Sequence, residues 1–382
     1  MQNQLSVSRR FANNAEMYYR AEDGSTRKIS RQNLIKKVRG MTFYDYYKWF
    51  IATEKEGKVR GVTLDKYLAS LEQIKKIAPD MLLIDLENNR QNLQFILDGY
   101  GKTHQRLTVM DFRTQIGAGL GFAVDDGYIR GYAKTGIVIH SVEETWTPEQ
   151  RAAVKQKVKA FSATQFNKFK SYIDFKLDAM LDQEPIYHGE DYTKSAKGRG
   201  QSSSYQMYYM LYAVLIHTGA RFAEALGFRY TDVERDYLNI SKTWNYRKPE
   251  GEFQNTKNVG SIRHITIDET LYSLLKKYYQ FKEKYDIPND PSRPLINEGV
   301  RIFNSTVNNQ LELIENHLGL PRLTAHKLRH SYASYLLYQD IQPQIVARQL
   351  GHTDTSMLFK VYAHILEEKK RASDEKIKGL LS

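Results

Sequence analysis

The sequence contains no cysteine among its 382 residues. Disulfide bonds, thiol catalysis and cysteine-ligated zinc are therefore excluded for this chain. No apolar run approaches the length of about 18 residues that indicates a membrane-spanning helix, and no charged-then-apolar stretch opens the chain as a secretion signal would. We therefore expect no membrane partner, no secretion and a cytoplasmic location.

Acidic side chains are in deficit, with 44 Asp and Glu against 56 Lys and Arg, which gives a formal net charge of +12. A basic excess of this size favours a polyanionic partner, with nucleic acid the first choice and an anionic membrane surface the second. The length favours two or three domains.

The first 40 residues are strongly basic, with nine Lys and Arg against three acids, a difference of +6. The stretch from Tyr18 to Arg27 predicts a small hairpin with a turn at Asp23-Gly24. Residues 1–40 are interpreted either as a module that contacts DNA or as a solvated, partly disordered basic arm. The candidate DNA contacts here are Arg9, Arg10, Arg27, Lys28, Lys36 and Lys37.

Residues 41–133 have apolar residues at helical spacing and predict a compact four-helix domain. The helices start near Thr42 and Thr63 and cover about 91–100 and 107–124. Basic, hydroxyl-containing loops join them and suit phosphate contacts, although an ordinary helical bundle with solvated loops has the same composition. The candidate DNA contacts in these loops are Lys58, Arg60, Lys102, Thr103 and Arg106.

Residues 134–160 read as a linker with a connector helix, and a second domain is predicted over residues 161–382. Its apolar stretch 205–218 predicts a buried helix that leads directly into Arg221, with Glu224 three residues later. A buried charge needs a partner. Taken alone, the two residues are more typical of a structural ion pair than of an arginine that faces a ligand phosphate.

Strand signals follow the buried helix. Residues 253–257 and 262–267 flank Asn258-Val259-Gly260 and predict a hairpin with Lys257 at its tip. Taken alone, Lys257 reads as a solvated lysine. The predicted fold class is therefore mainly α with a small antiparallel β-sheet.

Histidines cluster near the C-terminal end. His326, Arg329 and His330 are three and four residues apart on a predicted helix that Thr324 could cap, so they share a face. The two histidines suggest zinc, but the helix lacks the glutamate of a metalloprotease motif and no second carboxylate motif accompanies it, so no metal is expected. Residues 325–350 also resemble a helix-turn-helix, which is the main rival interpretation.

In this order, Arg221, Lys257, the run His326-Lys327-Leu328-Arg329-His330, Leu350-Gly351-His352 and Tyr362 resemble the tyrosine recombinases, and more narrowly the integrases of phages and integrative elements. The resemblance extends from about residue 41 to the C-terminus and is weak before it. It implies a helical core-DNA-binding domain followed by an α+β catalytic domain.

The resemblance also implies a role for each residue, with no metal or other cofactor. Tyr362 is the nucleophile that forms a 3′-phosphotyrosine link. Arg221, which Glu224 supports, and Arg329 clamp the non-bridging oxygens, and Lys257 protonates the leaving 5′ oxygen. The histidines expected to assist are His326, at the tyrosine proton or a phosphate oxygen, and His352, at a non-bridging oxygen; His330 is structural and His364 has no assigned role.

The implied activity is integration and excision of a mobile element by a homotetramer on double-stranded DNA attachment sites, at the nucleoid of a bacterial host. The amphipathic tail Ile365–Ser382 is expected to pack on a neighbouring subunit, or else on its own domain. A DNA-bending protein or a directionality factor could assist. The open alternatives are a type IB topoisomerase-like or resolvase activity and a non-catalytic DNA-binding regulator.

Overall fold

The computed structural model describes residues 17–20, 26–155, 158–187, 203–248, 250–256 and 259–352, with side chains from residue 29 onward except at positions 153, 155 and 259. The chain divides into two compact units, Met1–Gln156 and Lys157–Ser382. Within the described ranges, no helix is both long enough and apolar enough to cross a membrane.

The first unit consists of a two-stranded hairpin and helices. The strands pair antiparallel with Met17 opposite Ile29, as the sequence predicts, and the predicted Asp23-Gly24 turn lies outside the described residues. The elements are β1 (Met17–Arg20), β2 (Thr26–Ile29), α1 (Arg31–Arg39), α2 (Phe43–Glu54), α3 (Gly61–Ile77), α4 (Arg90–Gly101), α5 (Arg106–Asp125) and α6 (Pro148–Lys155). The four predicted helices are present as α2 to α5.

Helix α1 was not expected in the basic arm. The Ser30 side chain accepts a hydrogen bond from Asn33 N and caps its N-terminus. Leu34 and Val38, four residues apart, are buried in the core of the first unit, and Arg39 donates to Glu87 at 3.3 Å. The last part of the basic segment is therefore an integral helix of this unit.

Aromatic side chains of α2 fill the core of the first unit, and Gly119 on α5 lets the two helices approach closely. A Cβ at Gly119 would lie 2.8 Å from the Tyr47 ring and 3.4 Å from Phe50. The Tyr46 hydroxyl donates to Gly119 O at 2.9 Å. Gly119 therefore serves the close packing of α2 and α5.

The second unit surrounds one buried helix, α8, which packs against α7, α10 and α12. The elements in chain order are α7 (Ala163–Met180), α8 (Tyr205–Thr218), α9 (Phe222–Ala225), β3 (Tyr237–Ile240), β4 (Lys242–Trp244), β5 (Phe253–Asn255), β6 (Arg263–Thr266), α10 (Glu269–Lys284), α11 (Asn304–His317), α12 (Ala325–Tyr338) and α13 (Pro343–Leu350).

The hairpin predicted between residues 253–257 and 262–267 is wrong. Strand β5 pairs with β4, placing Phe253 opposite Trp244, and β6 pairs with β3, placing Arg263 opposite Ile240. Strands of three or four residues fit several partners equally well, so contacts distant in sequence decide the pairing.

The chain reverses instead between β4 and β5, where Asn245 N donates to Glu252 O at 2.8 Å. The next segment, between β5 and β6, ends in a 3-10 turn, Val259–Ser261. The predicted hairpin tip is wrong together with that hairpin, and Lys257 itself lies outside the described residues.

The N-termini of α7 and α12 are capped differently, and the predicted Thr324 cap is wrong. Ser162 caps α7, because its side chain accepts from Gln165 N and Gln165 bonds back to Ser162 N. Thr324 occupies the residue before α12, but its side chain makes no capping hydrogen bond. The Asn308 side chain takes that role and accepts from Ala325 N at 2.9 Å.

Candidate active site

Two helix ends, each closed by a left-handed glycine, form the frame of the site. Gly219 follows α8 with φ 61°, and Gly351 follows α13 with φ 67°. At the second end, Gly351 N donates to Arg348 O at 3.0 Å and His352 N to Ala347 O at 2.9 Å. This pattern satisfies two of the final carbonyls and leaves the next ones available for other donors.

Three successive carbonyls at the end of α13 each accept from a different arginine. Arg263 Nε donates to Gln349 O at 2.7 Å, Arg329 Nη2 to Leu350 O at 2.6 Å, and Arg221 Nη2 to Gly351 O at 3.4 Å. A helix C-terminus carries partial negative charge, which favours cations beside it. The α13 end therefore gathers three guanidiniums from three separate segments.

Arg329 joins the two helix ends. It is buried, with 4% of its surface exposed, and its Nη1 donates to Gly219 O at 2.7 Å while Nη2 serves Leu350 O. Since a buried guanidinium needs acceptors, these carbonyls fix its position. The segment that leads into Arg221 is thereby tied to the segment that leads into His352.

Arg221 is held by Glu224, as the sequence suggests. Its Nη1 donates to Glu224 Oε1 at 2.7 Å and its backbone N to Oε2 at 2.9 Å. Burial would raise the pKa of Glu224, but the charges and hydrogen bonds of Arg263 and Arg221 hold that pKa below its ordinary value. The Arg221 side chain remains 34% exposed, so it can reach a ligand.

His352 is a neutral ring beside Arg329. Desolvation and then the charges of Arg329, Arg221 and Arg263 lower its pKa to about 4. Its Nε2 accepts from Arg329 Nη2 at 2.9 Å, which places the ring proton on Nδ1. Among the described residues, Nδ1 has no hydrogen-bond partner.

His326 and His330 share a face of α12, with ring centroids 5.2 Å apart. Burial of the ring, and then the charges of Arg329 and Arg221, lower the pKa of His326. Burial and then the neighbouring charges lower the pKa of His330 to about 4. Within the part of the chain that the structure describes, no group of three or more His, Asp or Glu could hold a metal ion.

Arg263 was missed in the sequence, although a signal for it was present. Strand β6 alternates buried and exposed, so Arg263 and Ile265 share the buried face while His264 and Thr266 are exposed. An arginine at an inward position of a strand indicates a buried charge that requires partners.

The structure therefore brings together Arg221, Glu224, Arg329, His352 and, through its electrostatic effect, His326. Lys257 and Tyr362 lie outside the described residues, as do Arg9, Arg10 and the tail. Arg27 and Lys28 lie on β2, where the backbone alone is described.

The remaining candidate DNA contacts lie in the first unit. Lys36, Lys58, Arg60, Lys102, Thr103 and Arg106 are exposed and Lys37 is half-buried. Side chains of this set also bond within the unit: Lys58 donates to Thr53 O at 2.6 Å, Arg106 donates to Ile139 O at 2.9 Å, and the Thr103 hydroxyl lies 2.9 Å from His104 Nδ1.

Residues 192–369 match the phage integrase family. The chain carries a phage integrase domain. Curated proteins similar to this chain include the integrase of Staphylococcus phage L54a, 27% identical over 175 residues, and a XerC-like tyrosine recombinase of Caldanaerobacter subterraneus subsp. tengcongensis, 25% identical over 281 residues. These alignments cover 43% and 68% of this chain but only 49% and 62% of the relatives' own lengths.

Solved structures share the fold. The Tn1549 transposon integrase in complex with transposon right end DNA has a TM-score of 0.62 at 16% identity, covering 88% of this chain and 100% of the other. A lambda integrase dimer bound to a COC′ core site has a TM-score of 0.53 at 15% identity, covering 93% of each chain. The resemblance to tyrosine recombinases and the predicted fold class, mainly α with a small antiparallel sheet, are both confirmed.

Proposed function

We propose that this integrase-domain chain is a site-specific DNA recombinase that integrates and excises a mobile element through a 3′-phosphotyrosine intermediate. The observation that carries the proposal is the row of helix-end carbonyls that holds Arg221 and Arg329 together. Guanidiniums in fixed positions suit the bidentate recognition of a phosphate.

Arg221 and Arg329 clamp the non-bridging oxygens of the scissile phosphate. Each guanidinium carries five N–H donors, and Arg221 spends one from each Nη on Glu224 and Gly351. Donors that are already positioned stabilise the charge that gathers on the oxygens during phosphoryl transfer. Because the carbonyls and Glu224 fix both side chains before DNA binds, little reorganisation accompanies the reaction.

The covalent step exchanges one phosphodiester for another. The Tyr362 oxygen attacks phosphorus and loses its proton, the bond from phosphorus to the 5′ oxygen breaks, and Lys257 gives a proton to the departing 5′ oxygen. Attack by the 5′ hydroxyl of a partner strand then reverses these changes and releases Tyr362. No bond energy is lost, so no nucleotide cofactor is needed.

The histidines assist as neutral rings. A lowered pKa leaves His326 able to accept a proton from Tyr362 or to bond a phosphate oxygen. His352 orients Arg329 through Nε2, and its Nδ1–H is the donor left for a non-bridging oxygen. His330 supports this helix face as a structural residue.

The remaining parts of the chain bind DNA and build the assembly. Residues 1–40 contact arm DNA, 41–133 bind the core site, 134–160 link the two, and 161–382 catalyse. Exposed Lys36, Lys58, Arg60, Lys102 and Thr103 supply phosphate contacts. Four subunits assemble on attachment sites at the bacterial nucleoid, with the tail 365–382 packed on a neighbouring subunit. A DNA-bending protein or a directionality factor assists them.

A two-plasmid assay tests this function against the topoisomerase alternative. One plasmid pair carries the element's own attachment sites, and a matched pair lacks them. A recombinase yields recombinant junctions from the first pair alone. Relaxation of supercoils in both pairs without junctions would instead assign a topoisomerase-like activity, and DNA binding without either product would assign a regulator.

A further inference from the structure

We infer that Arg263 is a positioning residue of this active site, which keeps Glu224 and the end of α13 in register so that Arg221 and Arg329 converge on one phosphate. The inference rests on the proposed recombinase function. It adds to the expected residues an arginine on β6, six residues after Lys257 in sequence.

Arg263 donates to three separate segments. Nε bonds Gln349 O at 2.7 Å, Nη1 bonds Ser261 O at 2.9 Å, and Nη2 bonds Glu224 Oε2 at 3.0 Å. Its side chain is only 5% exposed. With so little access to ligand, it acts through the residues it holds and is not itself a catalytic residue.

The contact with Glu224 controls the charge available at Arg221. Glu224 is 1% exposed and accepts from both arginines, so one carboxylate is shared between two guanidiniums. The three groups together keep one positive charge. Without Arg263, Glu224 would neutralise Arg221 alone, and a phosphate would meet a pair with no net charge.

The contact with α13 controls the carbonyl row. Gln349 is bound to β6 twice, since its side chain also accepts from Thr266 N at 3.1 Å. The next two carbonyls, of Leu350 and Gly351, hold Arg329 and Arg221. A Cβ at Gly351 would lie 2.7 Å from Arg263 Nη1, so the glycine admits the guanidinium at this point. A shift of β6 against α13 would move both clamp residues.

The contact with Ser261 connects Arg263 to the residues just before β6. Ser261 is buried and ends the 3-10 turn that precedes β6. Arg263 therefore links Ser261, four residues after Lys257 in sequence, to Glu224 and to α13.

The test compares Arg263→Lys and Arg263→Gln with Arg235→Gln. Arg235 is a matched control, because it is an arginine of the same unit paired with a carboxylate, Glu269, but its side chain is 71% exposed. Lysine keeps the charge but cannot reproduce three hydrogen bonds in fixed directions. The lysine variant also provides a test if the glutamine variant fails to fold.

Three quantities are measured: the affinity for a duplex core site, the rate of covalent adduct formation on a nicked core site, and the ¹⁵N chemical shift of His352 Nε2. The nitrogen shift reports the hydrogen bond from Arg329 without any need for DNA. We expect Arg263→Lys to bind DNA within about threefold of wild type, to form adduct at least about 30-fold more slowly, and to shift the nitrogen signal. Arg235→Gln should match wild type in all three.

An adduct rate for Arg263→Lys within about threefold of wild type, with an unshifted His352 signal, would overturn the inference and leave only charge balance for Arg263. If wild type and Arg235→Gln form no adduct, the proposed function fails instead. The nitrogen shift of the folded variants then decides the positioning role alone: a shift supports it and an unchanged signal rejects it.

Discussion

Arg221 and Arg329 donate to neighbouring carbonyl oxygens, those of Gly351 at 3.4 Å and Leu350 at 2.6 Å. Arg221 follows the end of α8 and Arg329 lies on α12, yet neighbouring carbonyls at the end of α13 hold both guanidiniums. Gly219 O, two residues before Arg221, also accepts from Arg329. Main-chain oxygens thus position both guanidiniums, and their geometry depends on the fold of the second unit.

The first prediction concerns Arg329→Lys. A lysine cannot donate to both Gly219 O and Leu350 O in the geometry of the planar guanidinium. We expect adduct formation to fall by about 100- to 1,000-fold, the range found when one positioned oxyanion donor is removed. Single-turnover cleavage of a nicked core site measures this. Lys277→Arg, at a half-buried lysine of the same unit that pairs with Asp178 and Asp182, is the control, and equal loss in both variants would indicate a general defect.

The second prediction concerns pH and His352. Its pKa is about 4 in the folded protein against an ordinary value of 6.5, so between these values the unfolded chain binds a proton that the folded chain does not. Stability therefore falls as pH drops from 6.5 to 4. His352→Gln keeps an acceptor for Arg329 but cannot titrate. Chemical denaturation should show wild type losing stability relative to this variant across that window; a constant difference would mean that the His352 pKa is not depressed.

The third prediction concerns the leaving oxygen. Lys257→Ala should abolish cleavage of normal DNA and regain it when sulfur replaces the 5′ leaving oxygen, because a thiolate leaves without a proton. The measurement is adduct yield on the two substrates. Arg329→Lys should gain nothing from sulfur and serves as the comparison. If Lys257→Ala gains nothing either, Lys257 is not the general acid.

The fourth prediction separates the arm from helix α1. Removal of residues 1–29 leaves α1 intact, so melting should change little while recombination of long attachment sites weakens more than cleavage of a short core site. Removal of residues 1–40 also exposes the pockets of Leu34 and Val38. Their lost burial is worth about 3–6 kcal/mol and should lower Tm by more than about 6 °C. Equal melting of the two truncations would contradict the packing of α1.

The sequence predicts much of this site because its residues stand in short local patterns. The glycines before Arg221 and His352 end helices, and the spacing of His326 and Arg329 follows helix periodicity. Helix α1 was missed because its basic composition obscured two apolar residues behind a Ser30 cap. Such a helix is stabilised by tertiary burial more than by local propensity.

Contacts between distant segments were beyond prediction. The partners of β5 and β6 depend on register, which three- and four-residue strands do not specify. The arginine at the start of β6 could have been suspected from the alternation in 263–266, but its acceptors lie on α9 and α13. No local pattern connects those segments.

The most direct measurement is covalent capture on a nicked core site, with wild type compared to Tyr362→Phe. Wild type should form a protein–DNA adduct that survives denaturation, with mass spectrometry placing the nucleotide on the peptide that contains Tyr362. Tyr362→Phe should bind the same DNA within about threefold and form no adduct. An adduct that persists in Tyr362→Phe, or one attached to another residue in wild type, would contradict the proposed mechanism.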